Sequence, residues 1–497
     1  MTQTAKAPRD QLEEADRLRQ QGKLDRAEAI CSTLIRRYPD YVAALHTLGL
    51  VYLDKRNFDR ALDCLVRAAM LDPNNWMTLT ALSLAYLRLG ANEMAAQTLD
   101  RALAIRPQDA SIFASLGEIH RDEREYDIAQ QAYRQALRLD GNLESAAIGL
   151  ALCLAATGQS SEAGKVLEET FKRGHRSLNL LHVMTTLPPN TIGIDVLGEL
   201  DKLAASQSGA DAEFKNTLAF ARGAALDGAG RHAEAWQTLV VANRPLATEH
   251  RAALTANILR REKALAWISG PQAKAIEPRA SGKEPVSLFI LGASRSGKTS
   301  LERLVASLDG VKAGCEVPIV EKAVRRTFQA AAHPASNYLE ELPPALLPAF
   351  RENYLEDLVR RAGSARVFTN TLPGRIYDAG LMAMAVPNVR FLLVKRDMDD
   401  AAWRIYMTKY LIGNSYAYDL KAIRDYLNWY NTMIDLTVVR LPKIAQVVTY
   451  EAMVDDPATV LRQAADLCGL DFKGIPVLAP GNDRGCAAPY RELMEHG

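Results

Sequence analysis

The first 177 residues repeat themselves at a period of about 34 residues, and that leaves few folds open. In 42–75, Leu45, Leu48, Gly49 and Tyr52 share one helical face, Ala61, Leu65 and Ala68 share a second, and Pro73 closes the unit. The next unit returns Leu79, Leu82 and Tyr86, then Ala95, Leu99 and Ala102, then Pro107. Segment 8–41 keeps Ala15, Leu18, Ala27 and Pro39, and 110–143 keeps Phe113, Leu116, Gly117, Ala129, Tyr133 and Ala136. The 144–177 segment keeps a thinner set, Leu150, Ala163 and Leu167. Spacings of three and four residues are helical, so each unit is a pair of helices. Small residues fall where two helices cross too closely for a larger side chain, and the larger apolar ones fill the gaps around them.

Such a pair cannot bury its apolar face alone and must stack on its neighbours. The period and the pattern are those of tetratricopeptide (TPR) repeats, and about five of them over 1–177 predict an all-α solenoid. The repeated residues are its core; what the stack offers is a concave surface suited to an extended peptide or another protein. After His175 the Pro pair in SLNLLHVMTTLPPN ends a helix. Residues 178–270 then read as further helices, including one TPR-like unit built on the Gly230 turn, Ala235, Leu239 and Ala242, with a last helix to about Trp267. The polar stretch 271–284, rich in Gly, Pro and charge, predicts a linker to a second domain at 285–497.

With 497 residues and a formal net charge of +1, the chain has several cores and no global field to draw it onto nucleic acid or anionic lipid. The opening MTQTAKAPRD lacks an apolar leader core, and no uncharged apolar run reaches the roughly 18 residues of a membrane span. Cys31, Cys64, Cys153, Cys315, Cys468 and Cys486 show no paired spacing for zinc or a disulfide frame. A soluble, cytoplasmic protein without a metal is the expectation.

Function concentrates after the linker. Val286 to Leu291 is an apolar run of strand length, Leu301, Leu304, Val305 and Leu308 recur at helical spacing, and between them Gly292 to Thr299 matches GxxxxGK[ST]. The glycines let successive N–H groups turn inward, the helix N-terminus adds positive potential and Lys298 a full charge, so a phosphate or phosphosulfate is the natural occupant. A nucleotide hydrolase would add a strand ending in an Asp for Mg²⁺. Here the strand Val389 to Val394 runs into Lys395 and Arg396 before any acid, which favours a further phosphate.

Residues from about Lys215 to Asp471 resemble the bacterial TPR-sulfotransferases, relatives of the tyrosylprotein sulfotransferases that use 3′-phosphoadenosine 5′-phosphosulfate (PAPS). SRSGKTSLERLVAS resembles the family's PRSGTT loop, so the resemblance implies Arg295, Ser296, Gly297, Lys298, Thr299 and Ser300 for the 5′-phosphosulfate. VKAGCE resembles the segment carrying the family's catalytic base, which falls on Glu316. FLLVKRDMDDAAWRIY resembles the 3′-phosphate strand and helix, with Arg396 as the matching arginine; YAYDL and YEAMVDDP match two later blocks. The resemblance implies a sulfotransferase-like α/β domain with a mainly parallel sheet.

Four departures stand out. Lys298 replaces a threonine and Ser294 a proline of PRSGTT; Asn370 and Thr371 stand at the family's DKxP Asp and lysine; Arg404 stands at its 3′-phosphate serine; and the C-terminal end lacks its arginine-bearing cap. One reading is relocated charge, with Lys298 joining Glu316 in catalysis and Arg404 joining Arg396 on the phosphate. The others are a catalytically impaired nucleotide-binding scaffold and an ATP-dependent phosphotransferase. Trp403, Tyr406 and Tyr410 read as core, and Tyr450 and Glu451 as packing and capping elements.

Overall fold

In four of the repeats the turn between the two helices is made by a left-handed residue, Gly22 (φ 72°), Arg56 (57°), Arg124 (61°) and Gly158 (85°), spaced by 34 residues or twice that. The next amide after each reaches back across the turn, as in Asn57 N–H to the Tyr52 carbonyl and Gln159 N–H to that of Leu154, both 2.8 Å, so the carbonyls orphaned at the helix end are satisfied. The computed structural model describes residues 7–496 except 90, 189, 208, 275–281, 332, 334–335, 337, 411–412 and 473–481. Half of the stretch read as a linker, 275–281, therefore lies outside the described residues; Pro271–Lys274 is a helical turn.

The chain divides into two compact units after Arg176, with Asn190–Gly193 returning to the first. The first is an all-helical TPR solenoid, its units the helix pairs Pro8–Gln20 and Leu24–Arg37, Val42–Asp54 and Phe58–Leu71, Trp76–Arg88 and Asn92–Ile105, Ala110–Asp122 and Tyr126–Leu139, Glu144–Ala156 and Ser160–Lys172. Ala61, Leu65, Ala95, Leu99, Ala129 and Ala163 have no exposed surface. A Cβ on Gly49 would sit 2.5 Å from Leu65 Cγ, which is why glycine suits the crossing. Phe113 and Leu116 are half-buried, and Ile112 and Ile119 are buried in their place. A groove of about 360 Å³ lies in this unit, lined by His46, Leu50, Trp76, Thr80 and Leu84 among others.

The second unit is built on a five-stranded parallel sheet of order β2-β3-β1-β4-β5, with β1 Val286–Gly292, β2 Val311–Lys312, β3 Val367–Asn370, β4 Val389–Lys395 and β5 Ala445–Thr449. Alternate residues of a strand face opposite ways, and here both faces are covered. Leu288, Ile290, Leu392 and Val394 pack with Leu301, Leu304, Val460 and Leu461, from the helices Lys298–Val305 and Pro457–Cys468. Phe289, Leu291, Phe391 and Leu393 belong to a larger core with Val320, Phe350, Trp403 and Tyr430.

Helices of the 178–270 stretch share that larger core. Ala212–Gly228 and His232–Glu249 cross as a TPR pair does, a Cβ on Gly223 meeting Leu239 Cγ at 2.7 Å. Phe220, Trp236, Leu239 and Ile268 then join the sheet-domain cluster, with Trp236 stacked on Trp403 at a ring separation of 6.2 Å. Asn243 Nδ2 donates to the Tyr406 carbonyl at 3.0 Å, and Trp429 Nε1 to that of Arg261 at 3.1 Å. All six cysteines are thiols. Among the described residues no helix is long and apolar enough to cross a membrane.

Candidate functional site

The strand order reverses between β1 and β4, since the chain moves from β1 to one side of it for β2 and β3 and then returns to the other. Such a point leaves a crevice at the C-terminal ends of the two strands, where parallel sheets bind ligands. β1 ends there in Gly292, and the loop 293–297 leads into the helix Lys298–Val305. Left-handed backbone at Arg295 (φ 61°) and Gly297 (φ 95°) winds the loop tightly. A Cβ on Gly292 would sit 2.3 Å from Ser296 Oγ, and one on Gly297 2.4 Å from Tyr450 Cδ2.

Ser296 is 2% exposed and its Oγ has no hydrogen-bond partner among the described residues, an arrangement that favours an incoming acceptor. Lys298 is buried, and its Nζ donates to the Ala293 carbonyl at 2.9 Å. Burial lowers its pKa, the Glu316 carboxylate opposes that and Arg295 adds to it, which leaves the ammonium at about 8 against an ordinary 10.5. The same coupling brings Glu316, half-buried in the loop after β2, to the neighbourhood of Lys298. Thr299 is exposed and Ser300 half-buried.

The two arginines meet on one carboxylate. Arg396, just past β4, donates through Nη1 to the Arg295 carbonyl at 2.9 Å and through Nη2 to Asp483 Oδ1 at 2.9 Å, while its guanidinium lies 4.4 Å from the centre of the Tyr450 ring. Arg404 Nε donates to Asp483 Oδ2 at 3.0 Å, and the Tyr450 hydroxyl to Oδ1 at 2.6 Å. Burial pushes the Asp483 carboxyl up, but the Tyr450 hydroxyl and the two guanidiniums outweigh it and hold the group below the usual range. Arg396 Nε is buried without a hydrogen-bond partner among the described residues. An anion already sits where an anion site was expected, and it is part of the chain.

Tyr450 and Glu451 therefore lie at the site: the Tyr450 ring closes one side of Gly297, and Glu451 Oε1 accepts the Asp397 N–H at 3.0 Å. Trp403 is fully buried and Tyr406 nearly so, both core, whereas Tyr410 hydrogen-bonds through its hydroxyl with Ser294 Oγ at 2.8 Å. Asn370 and Thr371 brace the neighbouring loops, through Asn370 Nδ2 to the Val317 carbonyl and Thr371 N–H to that of Cys315, at 2.7 and 2.9 Å. Asp483 carries no local sequence signal, because its partners are distant in sequence, and Tyr450 shows only as an aromatic at a strand end.

An occupant of the loop that holds the Lys298 cation makes binding depend on pH. Below about 8 the ammonium is charged and affinity for a phosphate should be level; above 8 it should fall, by up to about tenfold per pH unit, as the proton is lost before binding. The unfolded chain, with its lysine near 10.5, binds more protons between 8 and 10.5, so this residue's contribution to stability rises across that window. Calorimetry of 3′,5′-bisphosphate binding at pH 6.5 to 9.5 checks the first expectation; level affinity above 8 would show that the cation is not used.

Comparison with known proteins adds the family. Residues 285–474 match the family model described as Sulfotransferase family, and 46–110 and 115–172 match Tetratricopeptide repeat. An uncharacterized protein of Aquifex aeolicus (strain VF5) is 24% identical over 200 residues, 38% of this chain and 26% of that one. The BBSome complex member BBS4 of Bos taurus is 25% identical over 142 residues, 29% and 27% of the two chains. The chain thus spans about a quarter of the length of these curated relatives. Among solved structures, a thermophilic TPR protein of Thermus thermophilus matches at 23% identity and a TM-score of 0.33, over 35% of this chain and 95% of that one. MamA from Desulfovibrio magneticus RS-1 matches at 17% and 0.30, over 34% and 97%. The chain joins tetratricopeptide repeats to a domain of the sulfotransferase family.

Proposed function

We propose that this protein is a PAPS-dependent O-sulfotransferase that moves a sulfuryl group to a hydroxyl of a protein, peptide or glycan acceptor presented by its repeats. The observation that carries the reading is the gathering of Ser296, Lys298, Glu316 and Arg396 around one glycine loop at the crevice of a sulfotransferase-family domain. Among the described residues the Ser296 hydroxyl has no partner, and with the glycines at 292 and 297 it fits the 5′-phosphosulfate, while the unpartnered Arg396 Nε fits the 3′-phosphate. When bound, PAPS supplies an activated sulfuryl group: the acceptor oxygen bonds to sulfur, the sulfur–oxygen bond to the 5′-phosphate breaks, and 3′,5′-bisphosphate leaves with the electron pair. Glu316 takes the acceptor's hydroxyl proton, and Arg295, Ser296, Lys298 and the loop N–H groups hold the charge that develops on the phosphate side. Arg396 and Arg404 hold the 3′-phosphate once Asp483 yields them. The repeats, with their groove beside Trp76, hold the acceptor's polypeptide.

Thermal shift tests this reading. The 3′,5′-bisphosphate should stabilise the protein without metal and more than ATP does; at a hundred times its Kd the gain is about 2.7 kcal/mol. Strictly Mg²⁺-dependent stabilisation by ATP, with no response to the bisphosphate, would replace the reading with a phosphotransferase. Donor binding with no transfer to any extract of the protein's own cell would leave a nucleotide-binding scaffold, which the Asp483 contacts favour.

A further inference from the structure

The phosphate-loop helix carries a second buried ionisable group. Glu302, one turn beyond Lys298, is 2% exposed. Its Oε1 accepts the Cys315 N–H at 2.9 Å and the hydroxyl of Thr369 on β3. Thr369 Oγ1 in turn accepts the Gly314 N–H at 3.1 Å, and the Thr371 N–H donates to the Cys315 carbonyl at 2.9 Å. Gly314 packs so close to β3 that a Cβ there would lie 2.2 Å from the Thr369 carbonyl oxygen.

Cys315 needs this support. Its φ is 53°, a left-handed conformation that costs a side-chain-bearing residue roughly 1–2 kcal/mol and persists only where the surroundings impose it. The next residue is Glu316. A buried carboxylate is itself costly, and an apolar side chain of the same volume would pack in its place more favourably. One inward-pointing amide, from Cys315, and the Thr369 hydroxyl, itself holding the Gly314 N–H, lie within the loop and strand that frame Glu316 and account for a carboxylate here.

We propose that Glu302 is a positioning residue: it clamps the Gly314–Cys315 turn between the phosphate-loop helix and β3, and so fixes the Glu316 carboxylate relative to Lys298. This rests on the reading of Glu316 as the base. The helix that presents Lys298 to the donor thus also sets the place of the group that acts on the acceptor, so the two halves of the reaction share one rigid element. Because Glu302 touches neither substrate, its loss should be felt in turnover and not in donor binding.

The test uses the full chain with Glu302→Ala, Glu302→Gln and Thr369→Val, measuring sulfate transfer from PAPS to a mixed acceptor extract, 3′,5′-bisphosphate affinity by calorimetry, and amide hydrogen exchange over residues 313–317. Glu302→Ala should lower turnover about 100-fold, the scale of a misplacement of about 1 Å, with bisphosphate affinity nearly unchanged. Exchange at Cys315 and Glu316 should quicken by at least about tenfold as the turn opens locally. Glu302→Gln should recover most of both, since an amide oxygen accepts the same two donors. Thr369→Val should show the same split, and carries the test should Glu302→Ala fail to fold. Unchanged turnover in Glu302→Ala, a loss of bisphosphate affinity equal to the loss of turnover, or a Gln variant no better than Ala overturns the proposal. A wild type that never transfers sulfate overturns the base reading instead, and the exchange data still decide whether Glu302 holds the turn.

Discussion

Glu316→Ala is expected to lower sulfuryl transfer by about 10²–10⁴, the usual cost of losing a general base, while the 3′,5′-bisphosphate binds nearly as before. A base acts on the acceptor and contributes mainly in the transition state, so its removal leaves donor binding alone. Lys298→Ala should behave differently, weakening bisphosphate binding and abolishing transfer together. The ammonium is buried inside the loop on the Ala293 carbonyl, a short side-chain movement from any phosphate held there. It also feels the Glu316 carboxylate, and in the proposed mechanism it supplies the cationic charge that Thr371 lacks. Calorimetry beside a transfer assay separates the two variants. A Glu316→Ala enzyme that transfers as well as wild type would remove Glu316 from the mechanism.

A fragment starting at residue 285 is expected not to fold, whereas one starting at Ser177 should fold and bind the bisphosphate. Trp403 has no exposed surface because Trp236 and Tyr490 stack on it, and Tyr406 packs against Trp236 at 5.8 Å. Removing 177–284 strips Phe220, Trp236, Leu239 and Ile268 from the larger core. Each large apolar side chain so lost is worth roughly 1.5–3 kcal/mol, against a total stability of about 5–15 kcal/mol for a typical domain. The break also leaves polar groups unmatched, among them Trp429 Nε1 on the Arg261 carbonyl and the Tyr490 hydroxyl on Asp227. Circular dichroism and thermal melts of the two fragments check this. A cooperative melt from the shorter fragment would show that the sheet domain stands alone.

What could be read beforehand follows the range of the interactions. The solenoid was legible because each contact recurs: Gly49 on Leu65 and Gly223 on Leu239 are separated by the same sixteen residues, so the pattern is periodic in the chain. The glycine loop was legible because Gly292 to Thr299 is contiguous and its flanks switch from strand to helix spacing. Periodicity gives the apolar face of His232–Glu249 but not what covers it, and a face made to stack on a repeat stacks equally well on Trp403. The rest of the site is assembled by tertiary contacts. Asp483 meets Arg404 across 79 residues and Arg396 across 87, and Glu302 reaches Thr369 across 67. No local spacing encodes such pairs. Tyr450 is the intermediate case, visible as an aromatic at a strand end, yet placed at the loop only by the β4–β5 pairing that ends at Lys395 and Thr449.

The Asp483 carboxylate turns arrival at the arginine pair into an exchange of anions. The guanidiniums of Arg396 and Arg404 do not wait as bare cations: both are already paired with one of the chain's own acids, and the Arg396 side chain is buried in that pairing while Arg404 keeps part of its surface in water. A phosphate that takes them returns Asp483 to solvent, and the observed affinity is the difference between two ion pairings, smaller than either. Selectivity is set by the same difference. A monovalent carboxylate or chloride gains nothing over the resident group, while a phosphate with two negative charges and three oxygens satisfies both forks at once. If the pair takes a 3′-phosphate as proposed, an internal counter-ion of this kind would filter by valence, disfavouring small monovalent anions against a ligand that carries a terminal phosphate.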